Sequence, residues 1–326
     1  MTCPAPRKIR IGNRDCRSPN EEVPFLKYLI LNCDDFGQSP AMNQAIMHLL
    51  EERKVSSATI MTPAPAFEEA AAWCRKNKDV PIGLHLTFTS EFAVLRWPSL
   101  TGHPSLHDGS GNLPMTVKEF ETRADAGAVK AEMLAQLEAV GKAGIEVTHA
   151  DNHMGSLYGL ETGRSFLPAV LWFCSRRGLP FRLFRYVDPG DRFLASIPNV
   201  HKTVGKVVAL ADTLGVCVPD YLLSHPFVIE EGETYESFKR SLIDKLYRLP
   251  EGVVETYVHP GAEDPWMLRN IPHWEKRVWE YKLMLDGDFA YALRDAGVTL
   301  TDYRYVRANL RRPRLKSAAS LLRSLF

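Results

Sequence analysis

The chain has 326 residues, 45% hydrophobic and 24% charged, with 40 Lys and Arg against 39 Asp and Glu for a formal charge of +1. So average a composition excludes a disordered chain, a collagen-like repeat and a small disulfide scaffold. The balanced charge argues against a partner made of nucleic acid. No apolar run approaches the roughly 18 residues of a transmembrane helix.

The first 24 positions carry Arg7, Lys8, Arg10, Arg14 and Arg17, and no apolar stretch follows of the kind a signal peptide needs. Residues 1–25 therefore read as a polar extension. The six cysteines are scattered with no CxxC pair. That pattern predicts reduced thiols in a cytoplasmic chain, each packed as a small hydrophobe. From Lys27 onward, strands are predicted over 28–33, 58–62, 82–88, 147–150, 181–186, 253–258 and 298–302. Helices are predicted between and after them, over 41–53, 66–76, 117–143, 164–177, 203–214, 235–247 and 274–296. Seven strands separated by helices imply a parallel sheet with crossover connections. The strands are apolar on both faces, as buried parallel strands are. The count fits one closed or nearly closed β/α barrel over 26–304 better than two doubly wound domains, although periodicity alone does not separate the two. The long stretch 89–114 follows a strand end and is rich in Pro and Gly. At the mouth of a barrel, a loop of that size is a place for function.

The polar residues concentrate at the ends of strands. The first strand ends in Asp34-Asp35, the third carries His85, the fourth ends in Asp151 and His153, and the sixth ends in His259-Pro260-Gly261. In a β/α barrel such positions converge on one mouth. Two adjacent carboxylates at a strand end repel each other and resist burial unless a cation joins them. Ser39 before Pro40 is the better cap for the next helix, which leaves the two aspartates free for other work. Asp35, His85 and His153 form a one-carboxylate, two-imidazole set of the kind that holds a divalent metal with positions open for water. His149 is a competing ligand, assigned to the core or to a supporting role because it lies deeper in the strand. Asp151 is placed to orient a ligand imidazole. His259 suits a general acid. The remaining histidines read as surface or loop residues, with His103 and His107 in the mouth loop within reach of a substrate.

These motifs resemble the YdjC-like carbohydrate deacetylase family, of chito-oligosaccharide deacetylase type. The residues that carry the resemblance are NCDDFGQSPAMNQAI at 32–46, GLHLTFTS at 83–90, THADNH at 148–153 and VETYVHPG at 254–261. It spans roughly 28–304. It implies a distorted β/α barrel of polysaccharide-deacetylase (NodB-like) type and one divalent metal ion, magnesium or zinc. It also implies Asp35, His85 and His153 as ligands, Asp34 as general base and His259 as general acid. Arg185 falls near an arginine that contacts substrate. The activity implied is removal of the N-acetyl group from a small acetylated amino sugar, its oligosaccharide or a conjugate. Asn152 and Gly155 stand where the family often has Ser and His, which bears on which sugar is taken.

Two other readings compete. A phosphoester hydrolase would want clustered arginines or a Gly-rich loop at a helix N-terminus, and neither stands near Asp34-Asp35. A sugar-binding protein with a degenerate site is at odds with the intact set of acids and imidazoles. Beyond the barrel, residues 305–326 form a basic tail. Seven of the 40 basic residues lie at 304–326, leaving 33 against 39 acids, or −6, on the rest of the chain. Together with its leucines, the tail suits peripheral contact with an anionic membrane and a lipid-linked sugar; a solvated tail is the competing reading. A homodimer is compatible with all of this.

Overall fold

The computed structural model describes residues 26–197 and 199–310. The polar extension 1–25 and residues 311–326 of the basic tail lie outside the described residues, whereas residues 305–310, assigned to the tail from sequence, belong to the last helix and its cap, with Val306 fully buried. The elements run β1 (Lys27–Phe36), α1 (Pro40–Glu51), β2 (Ser57–Ile60), α2 (Phe67–Lys76), β3 (Ile82–Leu86), α3 (Val117–Arg123), α4 (Ala126–Lys142) and β4 (Ala150–Asn152). They continue with α5 (Leu167–Arg177), α6 (Arg192–Ser196), α7 (Val200–Leu214), β5 (Tyr221–Leu223), α8 (Tyr235–Tyr247) and β6 (Gly252–Val258). The last are α9 (Pro265–Asn270), α10 (Trp274–Leu285), α11 (Gly287–Asp295), β7 (Val298–Thr301) and α12 (Tyr303–Asn309).

The seven strands form one parallel sheet in the order β4-β3-β2-β1-β6-β5, with β7 also on β1. The helices cover the sheet, which is curled into a distorted, incompletely closed β/α barrel. The predicted strand over 181–186 is a correction. Only Phe181 makes a strand-like bridge, to Ala150, and the seventh strand is instead β5. Residues 180–186 span the gap between the outer strands. Arg182 N–H donates to Ala150, Phe181 N–H to Cys217, and Arg185 and Tyr186 N–H to Asp220. Pro180 brings no N–H of its own, and these isolated bonds seam the barrel without forming a ladder.

Two predicted helices are each divided, and capping is the cause. Asp125 accepts from Gly127 and Ala128 N–H and starts α4 afresh, separating it from α3. Asp286 accepts from Asp288 N–H and separates α11 from α10. A side-chain cap at the new N-terminus satisfies backbone donors that a continuous helix would have bonded itself, so the apolar period runs straight through the break.

Inside the barrel the layers differ. At the bottom, Ile30, Val253, Cys217, Tyr303 and Val306 pack together, with α12 as the plug. Above them the interior is polar: Asn32, Ser57, Thr59, His85, Asp151, Arg182 and Glu255 are all buried. Cys33, Cys74 and Cys174 are buried free thiols, and Cys217 is buried as well.

Candidate metal centre and active site

The site is built first by a break in β1. Neighbouring residues on a regular strand point to opposite faces, so Asp34 and Asp35 could not both reach one cavity. The register with β2 slips between Cys33 and Phe36, and Asp35 adopts a left-handed φ of 63°. Bulges and non-glycine residues in that region concentrate at functional sites because the surrounding fold has to hold them there. Both aspartates line a cavity of about 440 Å³ together with His85, His153, Arg182, His259 and Arg277. Beyond the bulge, Ser39 caps α1 with Pro40 in the first turn.

Asp35 Oδ1 lies 3.4 Å from His85 Nε2 and 3.1 Å from His153 Nδ1, and it has no hydrogen-bond partner. Its Oδ2 accepts from Arg277 at 3.1 Å. Each imidazole is held from behind by a carboxylate: His85 Nδ1 by Asp151 at 2.6 Å, and His153 Nε2 by Glu91 at 2.9 Å. Thr59 and Arg182 in turn hold Asp151, and Gln38 donates to Glu91. A carboxylate behind each imidazole is the support that ligand histidines need.

The residues fit a divalent ion. Bonds of about 2.0–2.1 Å in tetrahedral or octahedral geometry set adjacent donors roughly 3.0–3.4 Å apart, which matches the spacings around Asp35 Oδ1. The electrostatics agree. Burial works against the charged imidazolium of His85, but Asp151, Asp35 and Asp34 outweigh it and raise its pKa to about 10. Burial likewise opposes charge on His153, and Glu91 and Asp35 raise its pKa to about 9. Asp35, although buried, is held well below the usual carboxylate range by His153, His85 and Arg277. So acidic a site draws positive charge, and two imidazole protons or one divalent ion supply the same amount. A second donor set, Asp34, His85 and Asp151, is also close together. Its acids are already engaged: Arg182 forks onto Asp34 at 2.6 and 2.7 Å and reaches Asp151 at 2.9 Å.

Asp34 also accepts from Asn32 at 2.8 Å, and its Oδ2 stands 3.9 Å from His259 Nε2. His259 is edge-on to Phe227 and Tyr257, and its backbone N–H donates to Glu280 at 2.6 Å. Burial pushes its pKa below the ordinary imidazole value despite Asp35, Glu280 and Asp34 nearby.

Other sequence expectations fall elsewhere. Arg185 is buried in a fork on Asp212, at 2.6 and 3.0 Å, and is absent from the cavity lining. The arginine facing the acids is Arg182, three residues earlier. His149 is fully buried and stacked on Tyr303 at 4.0 Å. His107 bonds Ser99 and His103 bonds Ser105, both away from the cavity. His225, read as a surface or loop histidine, has its side chain buried on Glu280 at 2.8 Å. Sequence reasoning did not find Arg182, Arg277, Glu91 or Glu280. For Glu91 a signal existed, since it opens the mouth loop. Arg277 and Glu280 sit inside a helix pattern that looks solvent-facing in one dimension.

A parallel β/α barrel with this braced histidine–aspartate cluster at its strand ends is a barrel protein with a candidate mononuclear metal centre. The family model described as YdjC-like protein matches residues 28–295, and the chain belongs to that family. Over 279 residues it is 28% identical to the carbohydrate deacetylase of Geobacillus stearothermophilus, covering 85% of this chain and 97% of that one. It is 33% identical to carbohydrate deacetylase 1 of Listeria innocua, covering 85% and 98%. A solved structure from Enterococcus faecalis, described as a cellobiose-phosphate cleavage protein, superposes with a TM-score of 0.68 at 24% identity over 86% of this chain and 98% of that one. That likeness concerns the fold.

Proposed function

We propose that the protein is a metal-dependent carbohydrate N-deacetylase that hydrolyses the acetamide of an acetylated amino sugar. The observation that carries this reading is the bare Asp35 Oδ1 between two carboxylate-braced imidazoles, with Asp34 and His259 paired beside it. Relatives named carbohydrate deacetylase match nearly their whole length and support the substrate class.

Asp35, His85 and His153 would hold the ion, and two imidazoles among three donors favour zinc or another imidazole-preferring ion over magnesium. When bound, such an ion supplies Lewis acidity for polarising the acetyl carbonyl and ionising water. The chain's own residues do the rest. Asp34 takes the proton of the attacking water. Arg182 fixes the position of its two oxygens, so the base meets the water in one orientation. Burial holds the His259 imidazole below its ordinary pKa, which favours its proton-accepting form. It stands next to Asp34, so the proton collected there has a short path to the imidazole and on to the departing amine. The products are acetate and a free amino sugar. Arg277 anchors the far oxygen of Asp35.

Acetate release from a panel of acetylated amino sugars, with the metal-loaded protein, tests the reading. Asp34→Asn is expected to keep its metal and lose about 10²–10⁴-fold in kcat, the contribution of one general base. Wild-type turnover in that variant would remove Asp34 from the mechanism.

A further inference from the structure

The candidate metal ligands Asp35, His85 and His153 line only one part, the floor, of the cavity. Its far wall is apolar and comes from the excursion between 183 and 222: Phe184, Leu194, Ile197, Val204, Val207 and Leu222 all line it. On the opposite rim Gly155 contributes no side chain, and Leu160, 54% exposed, stands 3.4 Å from where its Cβ would be. The charged groups of the cavity thus come from the metal-ligand cluster and its arginines, while most of the side chains supplied by the excursion are hydrocarbon.

Thr203 is the hydroxyl that α7 adds to this wall, so a second sugar ring there would press most of its hydroxyls against apolar side chains that can neither donate nor accept, stripping their water without replacement. An apolar chain meets no such penalty. We propose that the substrate is amphipathic: an acetylated amino sugar on the polar floor, carrying at its anomeric oxygen a hydrocarbon aglycone that lies along this wall. This rests on the deacetylase reading and narrows its substrate. Each buried methylene favours binding about fourfold, so a chain placing only two of its carbons on the wall gains more than tenfold.

The experiment uses N-acetylglucosamine bearing a methyl, hexyl, octyl or triethylene glycol group at the anomeric oxygen, and diacetylchitobiose, all below their micellar concentrations. Acetate release gives kcat/KM for the metal-loaded wild type. Calorimetry with the matching free-amine glucosaminides, which cannot turn over, gives Kd. Both are expected to favour octyl over methyl at least tenfold, with triethylene glycol near methyl. Val207→Asn and, at the exposed rim, Leu160→Asn are expected to pull the octyl-to-methyl ratio toward one. Acetate released from every glycoside with no dependence on chain length, or diacetylchitobiose preferred over octyl, overturns the apolar subsite and leaves deacetylation standing. No acetate from any glycoside, with the octyl preference intact in Kd, overturns deacetylation and supports the subsite.

Discussion

Replacing Arg182 by methionine removes the guanidinium and keeps an apolar stem of similar length. In the native protein that guanidinium forks onto Asp34 at 2.6 and 2.7 Å, reaches Asp151 at 2.9 Å and Glu255 at 2.9 Å, and is almost wholly buried. Leaving buried carboxylates without their partner destabilises a protein by about 3–5 kcal/mol. Three features hold the loss toward the lower end. Asp151 keeps His85, Asp34 keeps Asn32, and burial has already raised the Glu255 pKa to about 7, so that side chain can take a proton. Roughly 3 kcal/mol, at about 2 °C per kcal/mol for a chain of this size, lowers Tm by about 6 °C. Turnover is expected to fall at least about 100-fold, because Asp34 loses the two-pronged Arg182 fork and is left with Asn32 alone. Arg182→Lys keeps the charge without the fork and should fall between the two. Thermal unfolding followed by circular dichroism, with kcat measured alongside, checks both effects. A Tm within about 1 °C of wild type would refute the central electrostatic role given to this arginine.

Glu91→Gln removes the charge behind His153 and is expected to weaken metal affinity about 10–100-fold in a chelator competition; unchanged affinity would mean that His153 needs no support. Asp35→Ala is expected to reduce metal content by elemental analysis to near zero, and full occupancy would sink the ligand assignment. His149 supplies a pH dependence. Burial pushes its pKa down to about 3, so the folded imidazole stays neutral while the unfolded one takes a proton below about 6.5. Its stabilising contribution is complete above that pH and is lost as the pH falls toward 3, by about 1.4 kcal/mol per unit. Between pH 7 and pH 5 the stability of wild type relative to His149→Gln is therefore expected to drop by about 2 kcal/mol in urea unfolding, and a constant difference would exclude the effect.

The alternation of apolar runs and helical periods was legible without coordinates, and so was the concentration of Asp34, Asp35, His85, Asp151, His153 and His259 at strand ends. Those are local properties: a buried parallel strand needs apolar residues on both faces, and side chains at its C-terminal end face the barrel mouth. Three things were decided only in three dimensions. Arg182 and Arg185 sit in the same short apolar run. One meets Asp34, Asp151 and Glu255 and the other meets Asp212, because the seam at 180–186 turns them toward different elements. Two adjacent aspartates share one cavity because the β1 register slips and Asp35 turns left-handed there; tertiary packing, not local preference, holds that geometry. The cavity combines charged groups with an apolar wall because residues of α6, α7 and β5 line the same space as the strand-end acids and imidazoles. The residue types were readable one by one, but which of them would meet depended on distant segments of chain being brought together.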